Sequence, residues 1–356
     1  MSEPGTVALP PVQQEGSVQA IAFSPDGKRF ASGGSDTLLR VRPVGIGTPL
    51  DVTVGGSVTG IAFSPDGGRI AVADFEQVSL HDSTTGKAVW QGSLDPGNSV
   101  NSVRFAPDGR IVAATDTLIA VLDQASGEIK QRITVDRPLI ADVDLSRDGT
   151  RIALAVDERH GGNHRNEGSA RVHELATGKE IGRLAPRSAV LAVAFDPDGS
   201  RVLCCATDDT TRMFEAKDGK QLWPTADNVV EPIIGPNCLA FDPKSKWTVV
   251  GAADGTARVL EADTGTKRGQ VPLQNPGARG PGPGAVTHVA FRANGKHAAS
   301  ASIDNVVRLF NLEGKERYSV PTDEVLALRF SPDGRWLGVG TMNGALVIDN
   351  GEASQG

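Results

Sequence analysis

Phe23-Ser-Pro-Asp-Gly27 is the stretch that decides the fold, because it recurs as Phe63-Ser-Pro-Asp-Gly67 and Phe330-Ser-Pro-Asp-Gly334. Looser copies stand between these: Phe105-Ala-Pro-Asp-Gly109, Leu145-Ser-Arg-Asp-Gly149, Phe195-Asp-Pro-Asp-Gly199, Phe241-Asp-Pro-Lys-Ser245 and Phe291-Arg-Ala-Asn-Gly295. Their first residues lie at 23, 63, 105, 145, 195, 241, 291 and 330, giving steps of 40, 42, 40, 50, 46, 50 and 39. Self-similarity at such a period means one supersecondary unit stacked many times. The chain is one unit used eight times.

Each unit reads as four short strands, here called a to d. In the first, Val18-Gln-Ala-Ile-Ala-Phe23 is β-prone and Ser24-Pro-Asp-Gly27 is a tight turn. Proline presets φ, aspartate caps the turn through its side chain, and glycine accepts φ > 0. Phe30-Ala-Ser-Gly-Gly34 returns as strand b, Leu38-Leu-Arg-Val-Arg42 follows as c, and Pro49-Leu-Asp-Val-Thr-Val54 as d. Strand b of the other units is equally short and small: Ile70-Ala-Val-Ala73, Ile152-Ala-Leu-Ala155, Ala298-Ala-Ser-Ala301. Such runs suit strands buried on both faces. No amphipathic period of 3.6 extends beyond about two turns, so helices are not expected. Aromatics are only 4% of the chain while Gly numbers 42, so the core must be built from Val, Ile, Leu and Ala at close range.

A four-stranded antiparallel meander of this length is a propeller blade. The fold class expected is therefore all-β: an eight-bladed β-propeller of four-stranded antiparallel blades, one domain over residues 1–356, with units starting near 17, 57, 99, 139, 189, 236, 285 and 324. The eighth unit supplies a to c and stops after Ala345-Leu-Val-Ile-Asp349, without a strand d. Thr6-Val-Ala-Leu-Pro-Pro-Val12 precedes the first unit and is extended in character. This segment, 6–12, is expected to complete the last blade and close the ring, its prolines tolerated on an outer edge.

The net charge of −7 argues against non-specific nucleic-acid binding, which needs clustered Lys and Arg. No apolar run of about 18 residues exists to span a membrane, and residues 1–16 lack a signal-peptide layout. A soluble, cytoplasmic protein is the expectation. Three cysteines make no disulfide framework.

Asp254-Gly-Thr-Ala-Arg-Val-Leu-Glu-Ala-Asp-Thr-Gly265 and Asp304-Asn-Val-Val-Arg-Leu-Phe-Asn311 resemble the b–c turn and third strand of the WD-repeat β-propeller family, and the resemblance runs over nearly the whole chain. The family's Trp slot holds Arg42, His81, Leu122, His173, Phe214, Leu260, Phe310 and Ile348, and its Gly-His pair is missing from every unit. The resemblance therefore implies the fold, with Asp36, Asp116, Asp208, Asp254 and Asp304 bonding turn amides and apolar packing holding the blades.

In such a meander the a–b and c–d turns share one edge, and the b–c and d–a connections share the other. The a–b and c–d turns are short. The three long insertions, residues 157–169, 224–236 and 274–284, all fall on the b–c/d–a side, where loops on a rigid scaffold usually carry binding. In WD-repeat proteins this is also the usual partner-docking face. The first positions of strand a should rim the channel there: Gln19, Thr59, Asn101, Ala141, Leu191, Thr287 and Leu326. That neutral, mixed rim predicts a protein or peptide partner, bound by Gln19, Thr59, Asn101, Asn237 and Thr287 with His160, Asn163, His164, Arg165 and Arg279 from the loops.

No cofactor is expected. His160 and His164 stand four apart, but in Gly161-Gly-Asn163 surroundings they read as a solvated loop rather than a metal site. Cys204-Cys205 falls in a strand, where neighbours face opposite ways. Arg104, with Asp142 and Asp144, suggests an inter-blade ion pair. One enzyme reading stands as the alternative. His81-Asp-Ser-Thr-Thr-Gly-Lys-Ala-Val-Trp90 and Phe214-Glu-Ala-Lys-Asp-Gly-Lys-Gln-Leu-Trp223 look like the docking motif of quinoprotein propellers, which hold pyrroloquinoline quinone and act as dehydrogenases. Only two of the eight units carry that Trp, and no carboxylate-rich calcium site is recognisable. The function expected is a non-catalytic protein-interaction scaffold.

Overall fold

A computed structural model of the chain describes residues 6–13, 15–135, 139–157, 168–184, 188–224, 230, 233–272 and 285–351, with only the backbone of 6–13 included. The chain is all-β, an eight-bladed propeller in which every blade is a four-stranded antiparallel sheet. Val18–Phe23, Arg29–Gly34, Leu38–Pro43 and Leu50–Thr53 are strands a to d of blade one. Blades two to seven occupy residues 58–93, 100–134, 139–184, 190–223, 236–272 and 286–321. Blade eight takes a to c from Val325–Phe330, Trp336–Thr341 and Gly344–Asp349, and its outer strand from Thr6–Gln13, as the prolines of that segment implied. The pairing runs from Thr6 opposite Asp349 to Gln13 opposite Gly344. Among the described residues no helix is long and apolar enough to cross a membrane.

Backbone contacts divide the chain into two compact units. The first, Met1–Val135 with Val325–Gly356, holds blades eight, one, two and three; the second, Asp136–Glu324, holds blades four to seven.

Within each unit the core lies between consecutive sheets. Alternation along strand b sends successive side chains to opposite neighbours. Ala31 joins Val58, Ile61 and Ile70 of blade two, while Phe30 joins Ala345 and Val347 of blade eight. Small residues let the sheets approach. A Cβ on Gly338 would lie 2.6 Å from the Phe30 ring, and one on Gly33 would lie 2.7 Å from Val58. This is why strand b interleaves Gly, Ala and Ser among its larger apolar residues.

The recurring turn works as its composition suggests, and the serine does more than fill space. Ser24 Oγ donates to Asp26 Oδ1 at 2.6 Å and accepts the Arg29 amide at 2.9 Å, while Asp26 Oδ1 accepts the Lys28 amide at 3.0 Å. Gly27 sits at φ 69°. The Ser24 hydroxyl, then the Lys28 amide, hold the Asp26 carboxyl below its usual range. The same bonds recur at Ser64/Asp66, Ser146/Asp148 and Ser331/Asp333. Where aspartate replaces that serine, its carboxylate takes over the hydroxyl's accepting role: Asp196 Oδ1 accepts the Arg201 amide at 3.0 Å, and Asp242 Oδ1 the Trp247 amide at 2.6 Å. The copies with aspartate in the serine position keep the turn by different chemistry.

Three of the five b–c turn aspartates bond turn amides as expected, Asp36 to Leu38 at 3.3 Å, Asp254 to Thr256 at 3.0 Å and Asp304 to Val306 at 3.1 Å, while Asp116 accepts from the Asn101 side chain and Asp208 from those of Thr210 and Arg212. Four of the five also do something the sequence reading missed. The second carboxylate oxygen meets an arginine four residues on in strand c: Asp36–Arg40 at 2.5 Å, Asp254–Arg258 at 2.6 Å, Asp208–Arg212 and Asp304–Arg308 at 2.7 Å. Burial opposes the charge on Asp254 and Asp304, yet the arginine hydrogen bond prevails and both carboxyls sit below their usual range. Polar pairs therefore supplement apolar packing in four blades.

Candidate docking edge

Main-chain hydrogen bonds establish which connections share an edge. The b–c turn donates to the preceding d–a connection in five blades: Ser35 to Ser17 O at 3.0 Å, Phe75 to Ser57 at 3.2 Å, Thr207 to Ala189 at 2.9 Å, Ala253 to Gly235 at 2.8 Å, and Ile303 to Ala285 at 3.0 Å. The opposite edge is stitched likewise, the end of strand c donating to the a–b turn, as in Val44 to Lys28 O and Ala216 to Ser200 O, both 2.8 Å. The b–c/d–a edge inferred from meander geometry is thus a physical feature of these five blades.

The positions picked as rim residues share one structural cause. In all eight blades the a–b ladder skips one residue at the start of strand a. In the first unit it skips Gln19, Thr59, Asn101 and Leu326. In the second it skips Ala141, Leu191, Asn237 and Thr287. A β-bulge leaves its extra residue out of the ladder and re-aims the side chain. Gln19 and Asn101 are exposed, and Asn101 Nδ2 donates to Asp116 Oδ1 at 2.5 Å. Thr59 and Thr287 are half-buried and donate inward, Thr59 Oγ1 to Val100 O and to Ala73 O at 3.2 Å, Thr287 Oγ1 to Ala301 O at 3.4 Å. Asn237 Oδ1 is buried with no hydrogen-bond partner among the described residues. His160, Asn163, His164, Arg165 and Arg279 lie outside the described residues, as does most of each long loop.

The sequence reading looked for polar loop groups and missed an apolar signal. Seven large hydrophobic side chains are exposed among the described residues, and five of them, Phe75, Leu139, Ile234, Ile303 and Met342, lie on b–c turns or at d–a connections. Leu139, Ile234 and Ile303 belong to the second unit, Phe75 and Met342 to the first. Monomeric surfaces scatter such residues singly; here they collect on one edge of the blades.

The groups proposed for chemistry are built into the core. Cys204 packs with blade four and Cys205 with blades five and six, in separate clusters, both without solvent exposure. Burial pushes the Cys204 and Cys238 thiols up to about 12, and Cys205 well above its usual value. Among the described residues no group of three or more His, Cys, Asp or Glu is placed to hold a metal ion. Asp142 Oδ2 and Asp144 Oδ2 accept the amides of Val193 and Phe195 at 3.0 and 2.9 Å, tying blade four to blade five.

The two tryptophans of the quinoprotein-like motif make the contact their spacing suggests. Trp90 Nε1 donates to Gln124 O of the next blade, and Trp223 Nε1 to Ala262 O, both at 2.8 Å. Each ring lies on a turn glycine: a Cβ on Gly127 would be 2.7 Å from Trp90, and one on Gly265 would be 2.9 Å from Trp223.

Eight blades stitched at their turns, two of them also by a tryptophan, define a repeat propeller. Residues 14–163 and 153–347 match the family described as outer membrane protein assembly factor BamB, and the chain belongs to that family. No curated protein matches the sequence. Solved structures share the fold. The C-terminal WD40 domain of Sif2 superposes with a TM-score of 0.76 at 14% identity, over 99% of this chain and 100% of that one. Chaetomium thermophilum Sqt1, bound to the N-terminus of the ribosomal protein L10, gives 0.75 at 19% over 94% and 97%. The computationally designed Ika8 protein gives 0.77 at 20% over 97% and 100%. The likeness to WD-repeat proteins is one of fold, and the family match goes to the BamB model instead.

Fitting the quinone of the alternative reading to this chain turns on its donors. The vicinal thiols face opposite sheet neighbours, and the described carboxylates do not gather into a calcium site. The described residues do not fit the group.

Proposed function

We propose that the protein is a non-catalytic interaction scaffold that binds a protein or peptide on the b–c/d–a edge of its second unit, blades four to seven. The observation that carries this reading is the placement of Leu139, Ile234 and Ile303, exposed by 46, 61 and 54%, on the same edge of their blades as the bulged residues Asn237 and Thr287. Exposed aliphatic side chains on an edge that also carries polar residues supply the apolar centre and polar rim of a polypeptide interface. The three long loops join the same edge. A propeller of this fold, Sqt1, is bound to a polypeptide N-terminus, which supports the class of partner. The acidic net charge of −7 favours polypeptide over nucleic acid.

Shortening the loops at 157–169 and 274–284 is expected to remove specific partners from an affinity capture without changing the melting temperature. Identical partner sets would refute the assignment. One second reading, the quinone-dependent dehydrogenase, has the family match and the tryptophan contacts on its side but no fitting donors for the group among the described residues. It requires a spectral shift and dehydrogenase activity when pyrroloquinoline quinone and calcium are added.

A further inference from the structure

We infer that the b–c/d–a edge of the first unit docks a cationic polypeptide segment carrying an apolar anchor residue, with Phe75 as the anchor's contact. This rests on reading that edge of the blades as a docking edge, and it adds a second location and a partner chemistry.

Phe75 and Glu76 form a two-residue turn between the paired residues Asp74 and Gln77. Phe75 has φ 42°, in the left-handed region where a bulky side chain is a true outlier. Asn or Gly would hold this turn without that strain, and the ring does not compensate by packing, since Phe75 is 55% exposed. Beside it runs the bare backbone of Gly55-Gly56, where a Cβ on Gly56 would be 3.3 Å from the Phe75 Cβ. Met342 stands 43% exposed on the corresponding turn of blade eight.

Charge decides the occupant. In the described b–c and d–a connections of this unit the charged residues are Glu15, Asp36, Glu76, Asp95 and Asp116, with no Lys or Arg among them. Two strand arginines reach this edge and both are engaged: Arg40 by Asp36, and Arg132, whose Nη2 donates to Leu94 O at 3.2 Å. Asp36 is thus neutralised, while Glu15, Glu76, Asp95 and Asp116 reach solvent. The unit's cations lie toward its other edge, among them Lys28, Lys87 and Arg110 on turns and Arg29 and Arg69 at the starts of strands. An apolar contact within a one-signed acidic field selects a partner with the opposite sign and an apolar side chain.

The test uses the full chain and fluorescence anisotropy with labelled peptides of about 12 residues, alternating Lys with Leu, Asp with Leu, or Lys with Ser. The Lys/Leu peptide is expected to bind, the Asp/Leu peptide not to, and the Lys/Ser peptide to bind about tenfold more weakly, the loss of a hot-spot contact. Phe75→Asn is expected to weaken Lys/Leu binding at least about fivefold while raising the melting temperature, because Asn tolerates φ > 0. Glu76→Lys should weaken it comparably, whereas Ile303→Ser, in the second unit, should leave it unchanged. Equal binding of the Asp/Leu or Lys/Ser peptide, no binding of the Lys/Leu peptide, or unchanged affinity in Phe75→Asn would overturn the inference. If Phe75→Asn is silent while Ile303→Ser abolishes partner capture, this inference falls and the scaffold reading survives.

Discussion

Trp223→Ala is expected to lower folding stability by about 3–5 kcal/mol, the range for truncating a buried aromatic in a core that closes only partly around the space left. Trp223 has no solvent exposure and packs with Leu203, Met213, Val250 and Leu260, side chains from blades five and six. Its strand is three residues long, Gln221–Trp223, so the ring rather than a long ladder fastens the outer strand of blade five. Trp223→Phe keeps most of the apolar area but removes the indole donor and leaves Ala262 O only the longer bond from Arg201 Nη1 at 3.4 Å, a loss of about 1 kcal/mol. Trp90→Ala supplies the comparison. Trp90 makes the same indole-to-carbonyl bond from a half-buried position on a six-residue strand, so its truncation should cost markedly less. Urea unfolding of the three variants measures the series. Equal losses for Trp223→Ala and Trp90→Ala would show that burial of the ring is not what matters.

Removal of residues 1–14 should destabilise the first unit and make the protein self-associate. Thr6–Gln13 pairs with Gly344–Asp349 at five positions. At about 1 kcal/mol net per ladder hydrogen bond the loss amounts to several kcal/mol. It also uncovers Ala345-Leu-Val-Ile348 as an outer edge, and an apolar, uncharged edge strand is a template for pairing with another chain. Melting curves and light scattering read both effects. A truncated protein that melts as the full chain does and stays monomeric would mean the last blade does not need its N-terminal strand.

Much of this architecture is legible in the chain because its turns are chemically explicit. Ser-Pro-Asp-Gly sets its own hydrogen bonds within five residues, so counting it counts blades, and the surplus and missing strands at the two ends then match. The bulged positions are legible for a related reason: a bulge at the same place in every repeat leaves a residue at a constant offset from the turn. The apolar signal was hidden. Phe75 follows Ile70-Ala-Val-Ala73 and reads as one more strand residue, and Ile303 follows Ala298-Ala-Ser-Ala301 in the same way. Whether such a side chain is covered depends on neighbouring connections distant in sequence, which local pattern does not carry. The strand c arginines were overlooked because the resemblance directed attention to the Trp slot two residues on, where Arg42, His81 and His173 stand, and away from Arg40, Arg212, Arg258 and Arg308.

The scaffold reading is tested most directly by site-specific photo-crosslinking in the cells that make the protein. A benzophenone side chain would be placed at Thr287 or Ile303 on the b–c/d–a edge of the second unit, and at Asp198 or Lys220 on its a–b and c–d turns. Polypeptide adducts of one common mass from Thr287 and Ile303, with none from Asp198 and Lys220, are the predicted result. The same adducts arising from Asp198 and Lys220 instead, or from all four positions alike, would contradict the placement of function on the b–c/d–a edge.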